Sequence, residues 1–240
     1  MHHVTLDTWS RIASPIHRLD ARVKILAALS ILVSLVLTQH AYARLFPAYF
    51  LLVTALALFA RLPLKGLLLR AALVLPFAGT VAALNLFGGG LGGDGARAAG
   101  VLAKSYLSAC TVLLLLGATP LHALLRALES MGVPRFFLMV AQFLYRYLFV
   151  LSEQAQHMMQ ARRCRAPGAR RRQPLLRSAA GALAVLFARS YARAEHIHHA
   201  MLARGFQGHF VLLSPPALRA ADFAFLIALA AFLAGLQLAL

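Results

Sequence analysis

Acidic residues are scarce in this chain. It holds 7 Asp and Glu against 24 Lys and Arg in 240 residues, a formal charge of +17. A basic excess of that size raises the question of a nucleic-acid surface. Placement excludes it. The chain is 61% hydrophobic with mean hydropathy +0.74, where an ordinary soluble domain is about 45–50% apolar. Its apolar runs leave no soluble domain large enough to present a basic face. High apolarity with high positive charge reads instead as membrane spans joined by basic loops. Cysteine is sparse too. Cys110 lies in an apolar run and Cys164 in an arginine cluster, so no disulfide framework is implied. Catalytic motifs are missing. There is no Gly-rich phosphate loop followed by Lys, no His-Glu-x-x-His, and no nucleophile with a base at a recognisable spacing. A polytopic membrane enzyme is therefore disfavoured. Residues 1–22 contain Asp7, Arg11, Arg18, Asp20 and Arg22 without an apolar core, so no cleavable leader is expected and the first span directs insertion.

What is present is a series of apolar segments. Residues 19–38 make a first span if Arg22 and Lys24 snorkel to the interface. Residues 44–60 make a second. Residues 67–87 make a third, with Arg70 near its start and Pro76 inside, tolerated where neighbouring helices re-satisfy the freed carbonyl. Residues 88–100 hold seven glycines and read as an external loop. Residues 101–118 and 217–240 complete a set of five. Asn85, Lys104 and Asp222 lie near span ends and read as interface anchors. Otherwise the span interiors are almost free of ionisable groups, which argues against a stand-alone ion permease, since intramembrane charges mark ion paths.

The segment 119–215 differs. Thr119-Pro120 starts a helix, in which Leu121, Leu124, Leu125 and Leu128 recur at helical spacing until Gly132-Val133-Pro134. Residues 135–160 form a long amphipathic helix, with Arg146, Glu153 and Gln154 among aromatic residues. Residues 161–174 form an arginine-rich turn containing Pro167 and Gly168. Residues 175–204 form a second amphipathic helix closed by Gly205 as its C-cap. These helices are too polar to cross alone, although 134–151 could be partly embedded and would then upset the span count. With the N-terminus cytoplasmic, 21 of the 24 basic residues lie inside, and only Arg44, Arg97 and Lys104 lie outside. That split follows the positive-inside rule. The expectation is an all-α polytopic membrane protein with about five transmembrane helices, four within 1–118 and one within 216–240, and a cytoplasmic coupling domain of amphipathic helices at 119–215.

An internal repeat marks the two amphipathic helices. At an offset of 42 positions, Glu153 falls on Glu195, His157 on His199, Met159 on Met201, Ala161 on Ala203 and Arg162 on Arg204. Tyr145 and Phe149 meet Phe187 and Tyr191. Arginine at a helix C-terminus complements the negative end of the macrodipole, and that explains one arginine. It does not explain the matching aromatic, Glu, Met and Ala positions. A docking role does. Small Ala161 and Ala203 let a partner backbone approach, and Arg162 and Arg204 offer planar donor forks to a carboxylate.

Several motifs resemble one known family. They are Leu128-Glu129-Ser130-Met131-Gly132-Val133-Pro134-Arg135, Tyr145-Arg146-Tyr147, Ala161-Arg162-Arg163, Ala203-Arg204-Gly205-Phe206 and the opening Leu19-Asp20-Ala21-Arg22-Val23-Lys24. Together they resemble the transmembrane T component of energy-coupling factor transporters, cobalt/nickel subgroup, over about residues 15–230. The resemblance implies a non-catalytic scaffold with no cofactor of its own, serving cobalamin biosynthesis. It implies two ABC-type ATPase subunits that bind the ATP, and a membrane capture subunit that binds Co²⁺ or Ni²⁺, with or without a small accessory membrane subunit. It implies a bacterial cytoplasmic (inner) membrane location and cobalt as the favoured ion, although the ion is set by the capture subunit. The ATPase-coupling positions it implies are Ala161, Arg162, Arg163, Ala203, Arg204 and Gly205. Arg163 stands where the pattern has Gly, so close approach at that helix end is less assured.

Two histidine groups could hold a metal. His196 and His199 share a helix face beside His198, but only distant His157 offers a further ligand. Solvent-facing histidines are the simpler account. Met1-His2-His3 could bind Ni²⁺ or Cu²⁺ through the amine, two amides and the His3 imidazole.

Overall fold

The structure is a computed structural model that describes residues 14, 16–38, 45–87, 95–165, 172–208 and 219–238. His2, His3, residues 88–94 of the glycine run and the turn at 166–171 lie outside the described residues. Helices run throughout, with no strand among the described residues. The chain divides into two compact units. One comprises Met1–Met131 with Pro215–Leu240; the other is Gly132–Ser214.

The first unit opens with a 3-10 turn, Ile16–Arg18, and then α1, Ala21–Leu37, α2, Phe46–Phe59, and α3, Leu64–Ala71. After α3 the chain tightens into a 3-10 turn, Ala72–Val74, and resumes as α4, Leu75–Phe87. The cause is Pro76, whose ring clashes with the carbonyl four residues earlier, that of Ala72. Next come α5, Gly95–Ala118, and α6, Leu121–Ser130, and after the second unit α9, Ala220–Leu238. Contrary to expectation, residues 95–100 are helical. Their glycines cost about 1 kcal/mol each in a helix. The intervening alanines are strong helix formers, and Ala98 is buried in the α4–α5 pairing. Another departure is α6, which packs on α1 in the first unit rather than joining the amphipathic helices that follow.

Helix α5 is the hub, packing on α1, α2, α3 and α4. One core cluster joins Val53, Ala57, Leu67, Ala71, Cys110 and Leu114, and a second joins Ile31, Leu35, Tyr49, Leu107, Leu229 and Leu233. Fully buried Ala57, Ala60 and Ala71 let backbones approach closely, as helix pairs in lipid require. Large apolar side chains such as Leu29, Leu51, Leu73, Phe77 and Ile227 point outward and form a lipid-facing surface. Residues Leu64–Leu86, Arg97–Ala118 and Ala220–Leu238 are long and apolar enough to cross a membrane. Helices α1 and α2 measure about 26 and 21 Å at 1.5 Å per residue, short of the roughly 30 Å hydrocarbon core.

Three helix ends meet in a polar clasp. Asp20 is the N-cap of α1, its Oδ1 accepting the Arg22 N–H at 2.9 Å. Asp222, only 2% exposed, sits in the first turn of α9. Its Oδ2 accepts the Arg219 N–H at 2.8 Å, closing half a capping box, and its Oδ1 accepts the Asp20 N–H at 3.1 Å. One carboxylate thus satisfies the first donors of two helices and lies at the positive end of both macrodipoles. Lys24, 7% exposed, donates to the Ala118 carbonyl at 3.0 Å and the His17 carbonyl at 3.3 Å. Its ammonium therefore caps the negative end of α5 and feels the carboxylates of Asp20 and Asp222. Neither residue behaves as expected from sequence. Lys24 turns inward instead of snorkelling, and Asp222 is a buried joint rather than an interface anchor, because each finds orphaned backbone groups that need a charge of its sign.

A second polar network lies one helix length away. The hydroxyl of fully buried Tyr49 bonds to Ser34 at 2.5 Å and Thr38 at 3.3 Å, and Gln237 of α9 donates to Ser34 Oγ at 3.2 Å. Both ends of α1 are thereby tied to α9, with apolar packing between them.

The clasp gathers three helix ends. Through Lys24 and Asp20, the end of α5 and the start of α9 lie beside the start of α1, so these three ends share one face of the first unit.

Replacing Asp222 by Ala should destabilise the protein by about 3–5 kcal/mol, since it strands two helix-start donors and a buried cation. The midpoint of thermal unfolding in detergent reads this, and a loss under about 1 kcal/mol contradicts the clasp. In a Cys164→Ser background, cysteines placed at exposed His122 and Arg219 should react with a membrane-impermeant thiol reagent from the same side. Labelling from opposite sides contradicts the clasp.

Candidate coupling site

The second unit is built on two helices, α7, Arg135–Arg165, and α8, Arg172–Ala203. Gly132, at φ +95°, and Pro134 separate α7 from α6. The two helices run antiparallel. Residues 140–151 of α7 face 190–201 of α8, and residues 150–165 face 182–193. The first part of α7 is aromatic, with Phe143 stacked on Tyr147 at 6.2 Å and Tyr145 edge-on to Phe149 at 5.1 Å. Contrary to the expectation that the amphipathic helices are too polar to cross alone, Arg135–Arg165 is long and apolar enough to cross a membrane. Its last turn is basic, with Arg162, Arg163 and Arg165.

The two repeats end differently. Helix α8 stops at Ala203, and Arg204 is its C-cap. The Gly205 N–H bonds to the Leu202 carbonyl at 2.9 Å and the Phe206 N–H to the Met201 carbonyl at 3.1 Å, the pair of bonds that defines a Schellman motif. Gly205 holds φ +77°, which only glycine adopts without strain. Arg204 is therefore displayed, exposed, on a rigid corner. In the first repeat the equivalent position is Arg163, which cannot make that left-handed stop cheaply. Helix α7 continues to Arg165, and Arg162 lies within it, half-buried, while Ala161 and Arg163 are exposed. Ala203 is also exposed.

Because the helices are antiparallel, the two motifs are not side by side. Arg204 follows Met201, which faces the start of α7, whereas Arg162 lies near the opposite end. The separation along the hairpin is on the order of 30 Å, at 1.5 Å per residue. Arg162 has companions that the repeat did not reveal. Arg165, Arg189 and Arg193 line the same groove, together with Glu153 and Gln154. The i, i+4 spacing of Arg189 and Arg193 was the available signal. Glu153 Oε1 lies 3.8 Å from His157 Nε2, an exposed pair of little weight. His196, His198 and His199 are exposed on α8, and no three His, Cys, Asp or Glu side chains gather to hold a metal among the described residues.

Replacing Gly205 by Ala tests the corner. No atom lies within 4 Å of the added Cβ, so the penalty is backbone strain of about 1 kcal/mol. Amide hydrogen exchange should quicken at residues 202–206 alone, and unchanged exchange there contradicts the motif.

Comparison with known proteins gives a consistent picture. The family model described as CbiQ, cobalt transport protein, matches residues 13–212. The cobalt transport protein CbiQ of Rhodobacter capsulatus is 35% identical over 179 residues, covering 70% of this chain and 73% of that protein. A putative fused cobalt transport protein CbiMQ of Methanocorpusculum labreanum is 30% identical over 220 residues, covering 84% of this chain and 36% of that one. An uncharacterised protein of Methanocaldococcus jannaschii is 24% identical over 245 residues, 94% of this chain and 82% of that one.

Proposed function

The chain belongs to the CbiQ cobalt transport protein family, and from that membership and the geometry of α7 and α8 we propose that it is the transmembrane coupling subunit of an ATP-driven importer. The cargo is a divalent transition metal ion, cobalt first and nickel second. The observation that carries the reading is the pair of arginine motifs at opposite ends of one helical hairpin. Two attachment points on the order of 30 Å apart suit two separate motor subunits better than one.

In this reading two ABC-type ATPases hold ATP and each receives one end of the hairpin, through Arg162 and Arg204. Guanidiniums give directional, two-pronged contacts with carboxylates, so they transmit rotation as well as force. Closure of the ATPase dimer moves the hairpin, which acts as a lever on a membrane capture subunit. That subunit binds the ion and reorients to release it inward. The exposed aromatic side chains of α7 and α8, such as Phe136, Phe137 and Phe187, offer it an apolar track. A relative described as a fused cobalt transport protein supports a membrane partner, since this chain aligns with only 36% of it. The excess of basic residues on the clasp side of the bundle supports a cytoplasmic N-terminus and an inner-membrane location. A self-sufficient permease is disfavoured, because the buried charges of the bundle, Lys24 and Asp222, cluster at one end and are used up in capping.

The test is the double variant R162E/R204E in vesicles containing the whole transporter. Each reversal should cost about 2–5 kcal/mol of docking, so the ATPases should no longer co-purify and ATP-dependent cobalt uptake should fall to background. Intact assembly with full uptake overturns the proposal, as does uptake by the isolated chain without ATP.

A further inference from the structure

The seam between α7 and α8 changes character along its length. Toward the start of α7 it is a cleft of about 410 Å³ lined by Val140, Phe143, Leu144, Tyr147, Ile197 and Met201. Toward the end of α7 it widens to about 830 Å³ and is lined by Arg162, Arg165, Arg189 and Arg193, with Glu153 as the one carboxylate. The two parts adjoin at Arg193, which lines both. The apolar cleft falls within the range of about 300–1,000 Å³ typical of small-molecule sites.

The charge in the wide part is unbalanced. A guanidinium keeps its proton at any physiological pH, so the four arginines are fixed cations along one groove. None of them makes an ion pair among the described residues, and Glu153 is turned to His157. An anion in the groove balances that charge. The adjoining cleft specifies what kind of anion. A polar head with an apolar tail fits both parts at once, whereas a free anion or an acidic peptide leaves the aromatic cleft unused. The gradient also has the sense of a membrane interface. The apolar part lies along the half of α7 that is apolar enough for lipid, and the basic part along its polar end, and basic pockets between helices are known binders of anionic headgroups.

We infer that the α7–α8 seam is a binding site for an anionic phospholipid, its phosphate held by Arg189 and Arg193 and an acyl chain lying in the cleft beside Tyr147 and Ile197. Bound lipid then acts as a wedge that keeps the two helices apart at a fixed spacing. The phosphate ligands, Arg189 and Arg193, differ from the coupling residues Arg162 and Arg204, although Arg162 lines the same groove.

Native mass spectrometry of the full-length chain tests it, with phosphatidylglycerol and phosphatidylcholine of identical acyl chains and with inorganic phosphate and a short polyglutamate as competitors. The wild type should retain phosphatidylglycerol over phosphatidylcholine by roughly thirty-fold, the value for two arginines at a lipid surface. R189Q/R193Q should erase the preference, and I197W, which fills the cleft, should weaken retention of both lipids. Equal retention of the two lipids by the wild type overturns the inference. So does displacement of phosphatidylglycerol by equimolar inorganic phosphate, which indicates a free-anion site, or by equimolar polyglutamate, which indicates an acidic protein partner. If R189Q/R193Q fails to fold, I197W decides alone, and unchanged lipid retention in it counts against the site.

Discussion

A single buried carboxylate organises the membrane unit. Asp222 accepts the N-cap donors of both α1 and α9, while Lys24, far away in sequence but close in space, caps the end of α5. Charges are expensive inside a membrane protein unless paired or hydrogen-bonded. Here each charge meets the end of a helix whose dipole has the opposite sign, so the desolvation penalty is offset by backbone groups that would otherwise be orphaned. Three helix ends are held on one face by this arrangement, and the Tyr49–Ser34–Gln237 network holds the other end of α1 in register.

The second unit is built on a hairpin of two long antiparallel helices, α7 and α8. The seam inside the hairpin changes along its length. Its apolar portion packs loosely enough to leave a cleft, and its basic portion carries like charges that oppose close approach.

The two arginine motifs illustrate how one residue alters a repeated design. Gly205 permits the left-handed turn that ends α8 and exposes Arg204 at a corner. Arg163 does not, so α7 runs on and Arg162 becomes part of a helix wall beside Arg165, Arg189 and Arg193. Two matching stretches of sequence thus end as a projecting corner and a half-buried groove residue.

Much was determined by sequence alone. Hydropathy and arginine placement established an all-helical membrane protein with a basic amphipathic segment, because spans and charge asymmetry are local and compositional. The motifs also established the family resemblance, and Gly205 its helix stop, because a left-handed cap has a residue signature. Tertiary structure decided the rest. The inward turn of Lys24, the burial of Asp222 and the helical state of residues 95–100 depend on partners up to two hundred positions away, which no local pattern encodes. The arginine groove arises only when α7 and α8 lie antiparallel, and the same antiparallel packing sets the two arginine motifs at opposite ends. Sequence offset measures distance along the chain; only packing converts it into distance in space.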